Sequence, residues 1–411
     1  MARQASLLSV EDARARILDH FIRLEAEHVP LDRCLGRVLA EPVTSSVDIP
    51  PFANSSMDGF ALRSESTAGA GPKSPVSLSV ADNIPAGSFS ARELGPGESA
   101  RIMTGAPLPP GADAVVPFED VEDLESTICL SAPVPEGASV RPAGQDVKAG
   151  ASVVPSGTEL NSRGIALLAA LGMGLVPVVR RPVVAILSTG DELVRPGTSL
   201  KSGQIYDSNS AMLLHAVTEA GGMPLVLPTV RDDAEEISET IASVSQADLL
   251  LTTGGASVGD FDYMKDVIGR GGELNFWRVR VRPGKPLLFG SIGSLRIIGL
   301  PGNPTSGMVT FEQFARPAIR CMLGAALYRP TVRVRLDERI DNRGGRRTYA
   351  RARLRYEAGE FHASLSGPQD SAMLSPLARA DGLVIVPEDR DELAEGEMAF
   401  MQVWRLPDAL D

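Results

Sequence analysis

From residue 183 to about residue 322 the chain alternates short apolar runs with amphipathic stretches, and this alternation constrains the fold more than any other feature. The pattern predicts strands at 183–187, 224–230, 248–252, 274–282, 286–290 and 295–300. Between and after them it predicts helices at 209–220, 233–244 and 261–269, and a last one from near Pro304 to about residue 322. Gly221 and Gly222 close the first of these helices, as glycine does after a helix end. Strands alternating with helices mean βαβ units and a parallel sheet, whose ligands bind beyond the carboxyl ends of the strands.

The flanks read differently. A chain of 411 residues has room for roughly three domains of about 150 residues. Residues 9–27 predict a helix, with Ser9 and Asp12 as a capping box and Val10, Ala13, Ile17, Phe21 and Leu24 on one face, ended by Pro30. Residues 55–145 carry short runs at 76–80, 100–103, 114–118 and 127–130 between Gly/Pro turns, the spacing of a small β-rich domain. A second helix at 162–171 could fold back on the first and make that domain an insertion. After Pro330 the pattern returns to β, with ten arginines in 329–355 and eight acids in 388–411, both read as solvated faces.

Composition narrows the function classes. Forty basic and 52 acidic residues give a net charge of −12, which argues against nucleic-acid and membrane partners but not against a small anionic substrate. Cys34, Cys129 and Cys321 form no CxxC pair, so reduced thiols in a cytoplasmic protein are expected. Glu11 and Asp12 stand where a signal peptide needs apolar residues, and the longest apolar stretch, 164–179, is too short to span a bilayer.

Four loops follow predicted strands, each with glycine and polar or charged residues: 188–192, 252–260, 282–285 and 299–306. Adjacent strand ends would gather them round one crevice. The loop at 254–259 is not GxGxxG, and Asp260 and Phe261 stand where a Walker loop has Lys and Ser/Thr. What remains is a strand–glycine loop–helix unit whose amides suit a phosphate or oxyanion. Asp191 and Glu192 sit in the first loop, Asp260 and Asp262 in and just after the glycine loop, and Asp232 and Asp233 follow the 224–230 strand; carboxylates near a phosphate call for a cation, usually Mg²⁺. Arg278, Arg280 and Arg282 share a face if 274–282 is one strand, and Lys285 follows. No HExxH or GxSxG occurs and the four histidines lie near no nucleophile, so Ser-His or Cys-His catalysis is not expected.

These motifs, with 50–60 (PPFANSSMDGF), 101–106 (RIMTGA), 188–193 (STGDEL), 207–210 (DSNS), 253–259 (TGGASVG), 283–286 (PGKP) and 300–304 (LPGNP), resemble the molybdopterin molybdenumtransferases, the molybdenum insertases that include the gephyrin module. The resemblance implies a multidomain α/β plus β fold: a linker domain from 1–48 and 145–178, an inserted β-rich domain at 49–144, a central parallel-sheet α/β domain at 179–328 and a C-terminal β-barrel at 329–411. It implies a homodimer, with molybdopterin adenylyltransferase and molybdoenzyme maturation factors as possible further partners. It also implies a reaction: molybdenum passes from molybdate to adenylylated molybdopterin, AMP leaves, and Mg²⁺ is the cofactor.

The same resemblance assigns roles. Asp262, Asp191 and Glu192 hold or orient Mg²⁺, with Asp262 and Glu192 catalytic. Asp58 and Thr104 complete the cleft from the partner subunit, and Asp146 is a further family-matched acid counted as catalytic with Asp58. Gly254, Gly255, Ser257, Pro301, Gly302, Asn303, Pro304 and Ser306 hold the pterin and its phosphate, with Asp232 and Arg278 in the same substrate-binding set. Arg282, Lys285, Arg351 and Ser371 hold molybdate, Arg282 standing where the family often has Lys. Two other readings remain open at this point. One is a non-enzymatic scaffold or cofactor carrier, and the other is an unrelated Mg²⁺-dependent phosphate-handling α/β enzyme.

Overall fold

The computed structural model describes residues 7–254 and 263–407. They fall into two compact units. One takes in the described residues through Glu27, Gly36–Ala40 and everything from Pro177 on; the other takes in His28–Leu35 and Glu41–Val176.

In the first unit a six-stranded sheet is built from β1 (Val183–Ser188), β2 (Met223–Val226), β3 (Leu249–Thr253), β4 (Glu273–Arg278), β6 (Pro286–Ile292) and β7 (Leu295–Leu300), in the order β2-β1-β3-β7-β6-β4. Residues along β1 and β3 alternate between two buried faces. Val184, Ile186, Leu249 and Leu251 share one core with Leu213, Val217 and Ile319; Ala185, Leu187 and Leu250 share another with Ile237, Ile241 and Val267. Burying one such aliphatic side chain is worth about 1.5–3 kcal/mol, and a sheet covered on both faces is the α/β solution. The covering helices are α2 (Ser208–Glu219), α3 (Ala234–Ser243), α4 (Tyr263–Gly271), α5 (Pro304–Thr310) and α6 (Arg316–Leu323), with a buried π-helical stretch, Phe311–Ala315, joining the last two. Asp207 and Asp233 accept amide hydrogen bonds as the N-caps of α2 and α3, so Asp233 is a cap.

The sheet is not wholly parallel. Strands β2, β1, β3 and β7 run parallel, but β6 pairs antiparallel with both β7 and β4. The register sets Ile292 opposite Leu295, leaving only Gly293 and Ser294 in the turn, and a parallel crossover needs about a dozen residues or more. The predicted strand at 274–282 also breaks. It stops at Arg278, and β5 (Val281–Arg282) leaves to pair with a strand of the barrel. Arg278, Arg280 and Arg282 therefore do not share one strand face.

The barrel closes as β9 (Arg347–Glu357), β10 (Glu360–Leu365), β8 (Thr331–Leu336), β12 (Met398–Val403) and β11 (Gly382–Val386), the last pairing back on β9. Ser9 Oγ accepts from the Asp12 amide at 3.0 Å and opens α1 (Val10–Leu18), which packs on α6 and the π stretch. The helix expected to reach residue 27 ends at Leu18. Phe21 is nonetheless buried, and the Leu24 amide donates to Met322 O at 2.8 Å. Apolar spacing correctly marked burial there but not helix.

The second unit carries a six-stranded sheet in the order Ala114–Pro117, Gly59–Leu62, Glu98–Ile102, Val76–Ile84, Thr127–Leu130, Glu122–Asp123. Phe60, Leu62, Leu78 and Ile128 pack on one side and Ala61, Ile84, Leu94 and Ala100 on the other. Its helix Ser162–Ala170 packs against the turn Leu31–Arg33, while α1 belongs to the first unit. Cys34, Cys129 and Cys321 form no disulfide. No helix among the described residues is long and apolar enough to cross a membrane.

Candidate active site

Strand register places the site. Ser188 pairs with Thr253 and Thr253 with Leu300, so β1, β3 and β7 end level and their loops leave side by side. Because β6 is antiparallel, its first residue, Pro286, lies at that same edge, and the 282–285 loop joins the other three. Close approach is built in. A Cβ at Gly254 would stand 2.3 Å from Thr189 O, and the residue's φ of +91° suits glycine. Asn209, in the first turn of α2, ties the strand ends together. Its Nδ2 donates to Thr253 Oγ1 at 2.8 Å and to Gly302 O at 2.7 Å.

A cavity of about 880 Å³ opens over this edge. Of the residues expected in a site, Glu192, Gly254, Arg282, Lys285, Pro301, Gly302, Asn303, Pro304, Ser306 and Ser371 line it. Leu193, Ile205 and Tyr206 form an apolar part of the wall, and Arg346, Gln369, Asp370 and Ser371 reach in from the barrel. Tyr206 is held by its hydroxyl, which donates to Thr198 O at 2.8 Å.

Arg351 is placed otherwise than expected. It is 1% exposed and does not line the cavity. Its Nη1 donates to Thr305 Oγ1 at 3.0 Å, Asp370 O at 3.0 Å and Met373 O at 3.2 Å, its Nη2 to Pro368 O at 3.0 Å, and its Nε to Gln369 Oε1 at 3.3 Å. Its donors are spent on the loop 366–373, so it braces the wall that carries Ser371. Ser371 in turn meets the strand-end loops: its Oγ accepts from Asn303 Nδ2 at 2.9 Å and its carbonyl from the Thr305 amide at 3.2 Å. Arg278 also lies away from the cavity, stacked over the Trp277 ring at 4.1 Å.

Charge is divided across the site. Arg282, Lys285 and Arg346 line the cavity, and none forms an ion pair with a described carboxylate. Asp191 and Asp232 stand near Glu192. Partial loss of solvent raises the Asp232 carboxyl above its ordinary range, and the negative charges of Glu192 and Asp191 add to that. Carboxylate oxygens are the donors Mg²⁺ takes. Among the described residues no three His, Cys, Asp or Glu side chains converge tightly enough to hold a metal alone.

Gly255, Ser257, Asp260 and Asp262 lie outside the described residues. Asp58, Thr104 and Asp146 are exposed and belong to the second unit. Asp58 Oδ1 accepts from the Thr104 amide at 2.7 Å and its hydroxyl at 2.8 Å, and these two bonds hold the Asp58 carboxyl below its ordinary range. Sequence reasoning missed Asn209, Tyr206, Arg346 and Gln369 as site residues. Asn209 and Tyr206 stand in or beside the DSNS motif, whereas nothing in the arginine-rich stretch distinguished Arg346.

Comparison with known proteins follows the same division. Residues 8–172 match the family model for the MoeA N-terminal region (domain I and II), 185–321 that for a probable molybdopterin binding domain, and 333–403 that for the MoeA C-terminal region (domain IV). The chain is 40% identical over 386 residues to molybdopterin molybdenumtransferase 2 of Mycobacterium tuberculosis, covering 92% of this chain and 94% of that one. It is 38% identical over 382 residues to the molybdopterin molybdenumtransferase of Nostoc sp., covering 91% and 87%. The crystal structure of a molybdopterin biosynthesis MoeA protein from Pyrococcus horikosii superposes with a TM-score of 0.86 at 35% identity, covering 97% of this chain and all (100%) of that one. Matched over most of its length in sequence and in fold, this chain belongs to the MoeA family, the molybdopterin molybdenumtransferases.

Proposed function

We propose that this chain is the molybdenum insertase of molybdenum cofactor biosynthesis. It takes molybdenum from molybdate, places it on the dithiolene sulfurs of adenylylated molybdopterin and releases AMP in an Mg²⁺-dependent reaction. The observation that carries the reading is the cavity over the level strand ends, with unneutralised Arg282 and Lys285 in its wall beside glycine loops that admit a ligand to the backbone. That combination suits an anionic, phosphate-bearing substrate.

The chain's own groups divide the work. Loop 301–306 and Gly254 seat the pterin and its phosphate, while Arg282 and Lys285 hold molybdate and stabilise charge developing on the phosphoryl group. Glu192 and Asp191, with Asp262, would hold Mg²⁺ together with the substrate's phosphates. When bound, the ion neutralises phosphate charge, the usual contribution of a metal in phosphoryl transfer. Arg351 acts through Ser371, as a brace for the wall rather than as a ligand. The reading includes a cytoplasmic homodimer in which the second subunit supplies Asp58 and Thr104, with Asp58 kept ionised by Thr104, and it counts Asp146 as a further catalytic acid.

The test is turnover of purified protein, read as AMP released. Adenylylated molybdopterin should be consumed only when molybdate and Mg²⁺ are both present. Lys285→Met should lower turnover by about 100-fold, the scale of removing one group aimed at developing charge, with the melting temperature unchanged. AMP release that ignores molybdate, or full turnover in K285M, would sink the assignment.

A further inference from the structure

We propose that Gln313, at the centre of the buried π turn, is a positioning residue that seats the barrel, and with it the cavity wall bearing Ser371, against the helix that carries Ser306. Its kinetic consequence rests on the function proposed above; its structural consequence does not. Pro317 explains the turn. In a regular α-helix the amide of residue 317 would donate to the Gln313 carbonyl, but proline has no N–H and its ring crowds that carbonyl. The helix widens over Phe311–Ala315, and the Gln313 carbonyl accepts instead from Arg14 Nε of α1 at 3.1 Å.

The wider turn aims two consecutive polar side chains, each 1% exposed, at different partners. Glu312 accepts from Arg329 Nε at 3.3 Å and Nη2 at 3.2 Å, on the linker between α6 and the barrel. Gln313 meets the barrel itself. Its Nε2 donates to Gln402 Oε1 of β12 at 2.6 Å, and its Oε1 accepts from Arg14 Nη2, which also donates to the Tyr349 hydroxyl of β9 at 3.2 Å. Thr305, eight residues earlier on α5, meets the barrel too: its Oγ1 donates to Met373 O at 2.9 Å and its amide to Ser371 O at 3.2 Å. In an α-helix, residues eight apart stand about 80° apart round the axis. A π turn takes more residues per revolution, which narrows that angle and lets both ends of the helix grip one neighbour. Tyr349 and Arg351 project from one face of β9 and are both buried, so the fastening at Tyr349 is passed to the side chain that braces the Ser371 loop.

The test uses the full chain with Gln313→Leu, which keeps the bulk but makes neither side-chain bond, and Gln313→Glu, which still accepts from Arg14 and, once the Gln402 amide turns over, from Gln402. In Q313L the KM for molybdate should rise by about tenfold, because Ser371 is displaced, with kcat within about twofold, because Lys285 stands on the opposite wall. Q313E should stay within about threefold of the unaltered chain in both. Arg14→Met, a half-buried change on α1, should raise KM in the same direction and serves where Q313L folds poorly. Gln402→Leu should match Q313L, and the double variant should be no worse than either single one. Unaltered KM in Q313L and R14M, a kcat loss without a rise in KM, or Q313E as impaired as Q313L overturns the positioning role. Amide exchange reads the same role without substrate: residues 349–351 and 366–373 should exchange about tenfold faster in Q313L, with β1 and β3 unchanged. Unchanged exchange at 366–373 overturns the positioning role, whereas faster exchange there, in a protein whose unaltered form shows no molybdate-dependent turnover, overturns the proposed reaction alone.

Discussion

The cavity has two walls, and they are held in different ways. The strand-end wall is fixed by many small constraints: level register across β1, β3 and β7, close backbone approach at Gly254, and Asn209 bridging to Thr253 and Gly302. The barrel wall hangs largely on one side chain, since Arg351 collects the carbonyls of Pro368, Asp370 and Met373 together with Thr305 and Gln369. A wall held by a sheet tolerates the loss of any one bond. A loop wrapped round a buried cation does not, because removing the cation strands several acceptors at once.

Arg351→Met breaks this contrast hardest. Methionine fills similar space but offers no donor, and buried acceptors left unpaired cost about 1–3 kcal/mol each without adding fully, so a loss of roughly 3 kcal/mol is expected. The urea midpoint should fall, and a protease should cut within 366–373 while the α/β sheet stays intact. A variant that unfolds at the same midpoint as the unaltered chain, its loop still protected, would show that the barrel wall has other supports.

Asn209→Ala tests the opposite wall. It deletes one donor group serving two acceptors, and Thr253 Oγ1 keeps its contact with Pro301 O at 3.4 Å. About 1–2 kcal/mol should be lost, with faster hydrogen exchange confined to the amides of Gly302 and Asn303. If N209A costs as much as R351M, the strand-end wall is not distributed and the contrast fails.

The walls also differed in how far the sequence disclosed them. The loops at 188–192, 282–285 and 299–306, with the described start of the one at 252–260, were legible, because an apolar run followed by glycine and charge is a local signal and strand pairing then brings such loops together. The division into β, α/β and β regions was legible for the same reason. The antiparallel turn of β6 was misread although the four residues between the predicted strands, 291–294, are too few for a parallel crossover. On the barrel wall, Arg346 and Arg351 stand five positions apart in one run of arginines and look alike as letters. Their difference is tertiary: Arg351 meets four acceptor groups of one loop and the Thr305 hydroxyl, whereas Arg346 is brought to the cavity by a strand that changes sheets.

The smallest effect sharpens the contrast at the point where α1 meets the barrel. Glu11 reaches Arg347, the residue after Arg346 and the first of β9. Partial burial pulls the Glu11 carboxyl upward, but the bond from Arg347, a backbone bond within Glu11 itself and the positive charges of Arg347 and Arg14 outweigh it and hold the group below its ordinary 4.5. An acid lowered in the folded state adds stability above its unfolded pKa, and loses it as pH falls through the folded value. Glu11 is more than half exposed, at 56% of its side chain, so screening keeps the contribution under about 1 kcal/mol. Glu11→Gln should therefore lower the urea midpoint slightly at neutral pH, and the difference should vanish as pH falls below about 4. A difference that persists in acid would mean that Glu11 acts by packing rather than by charge, and that Glu388 is the carboxylate that holds Arg347.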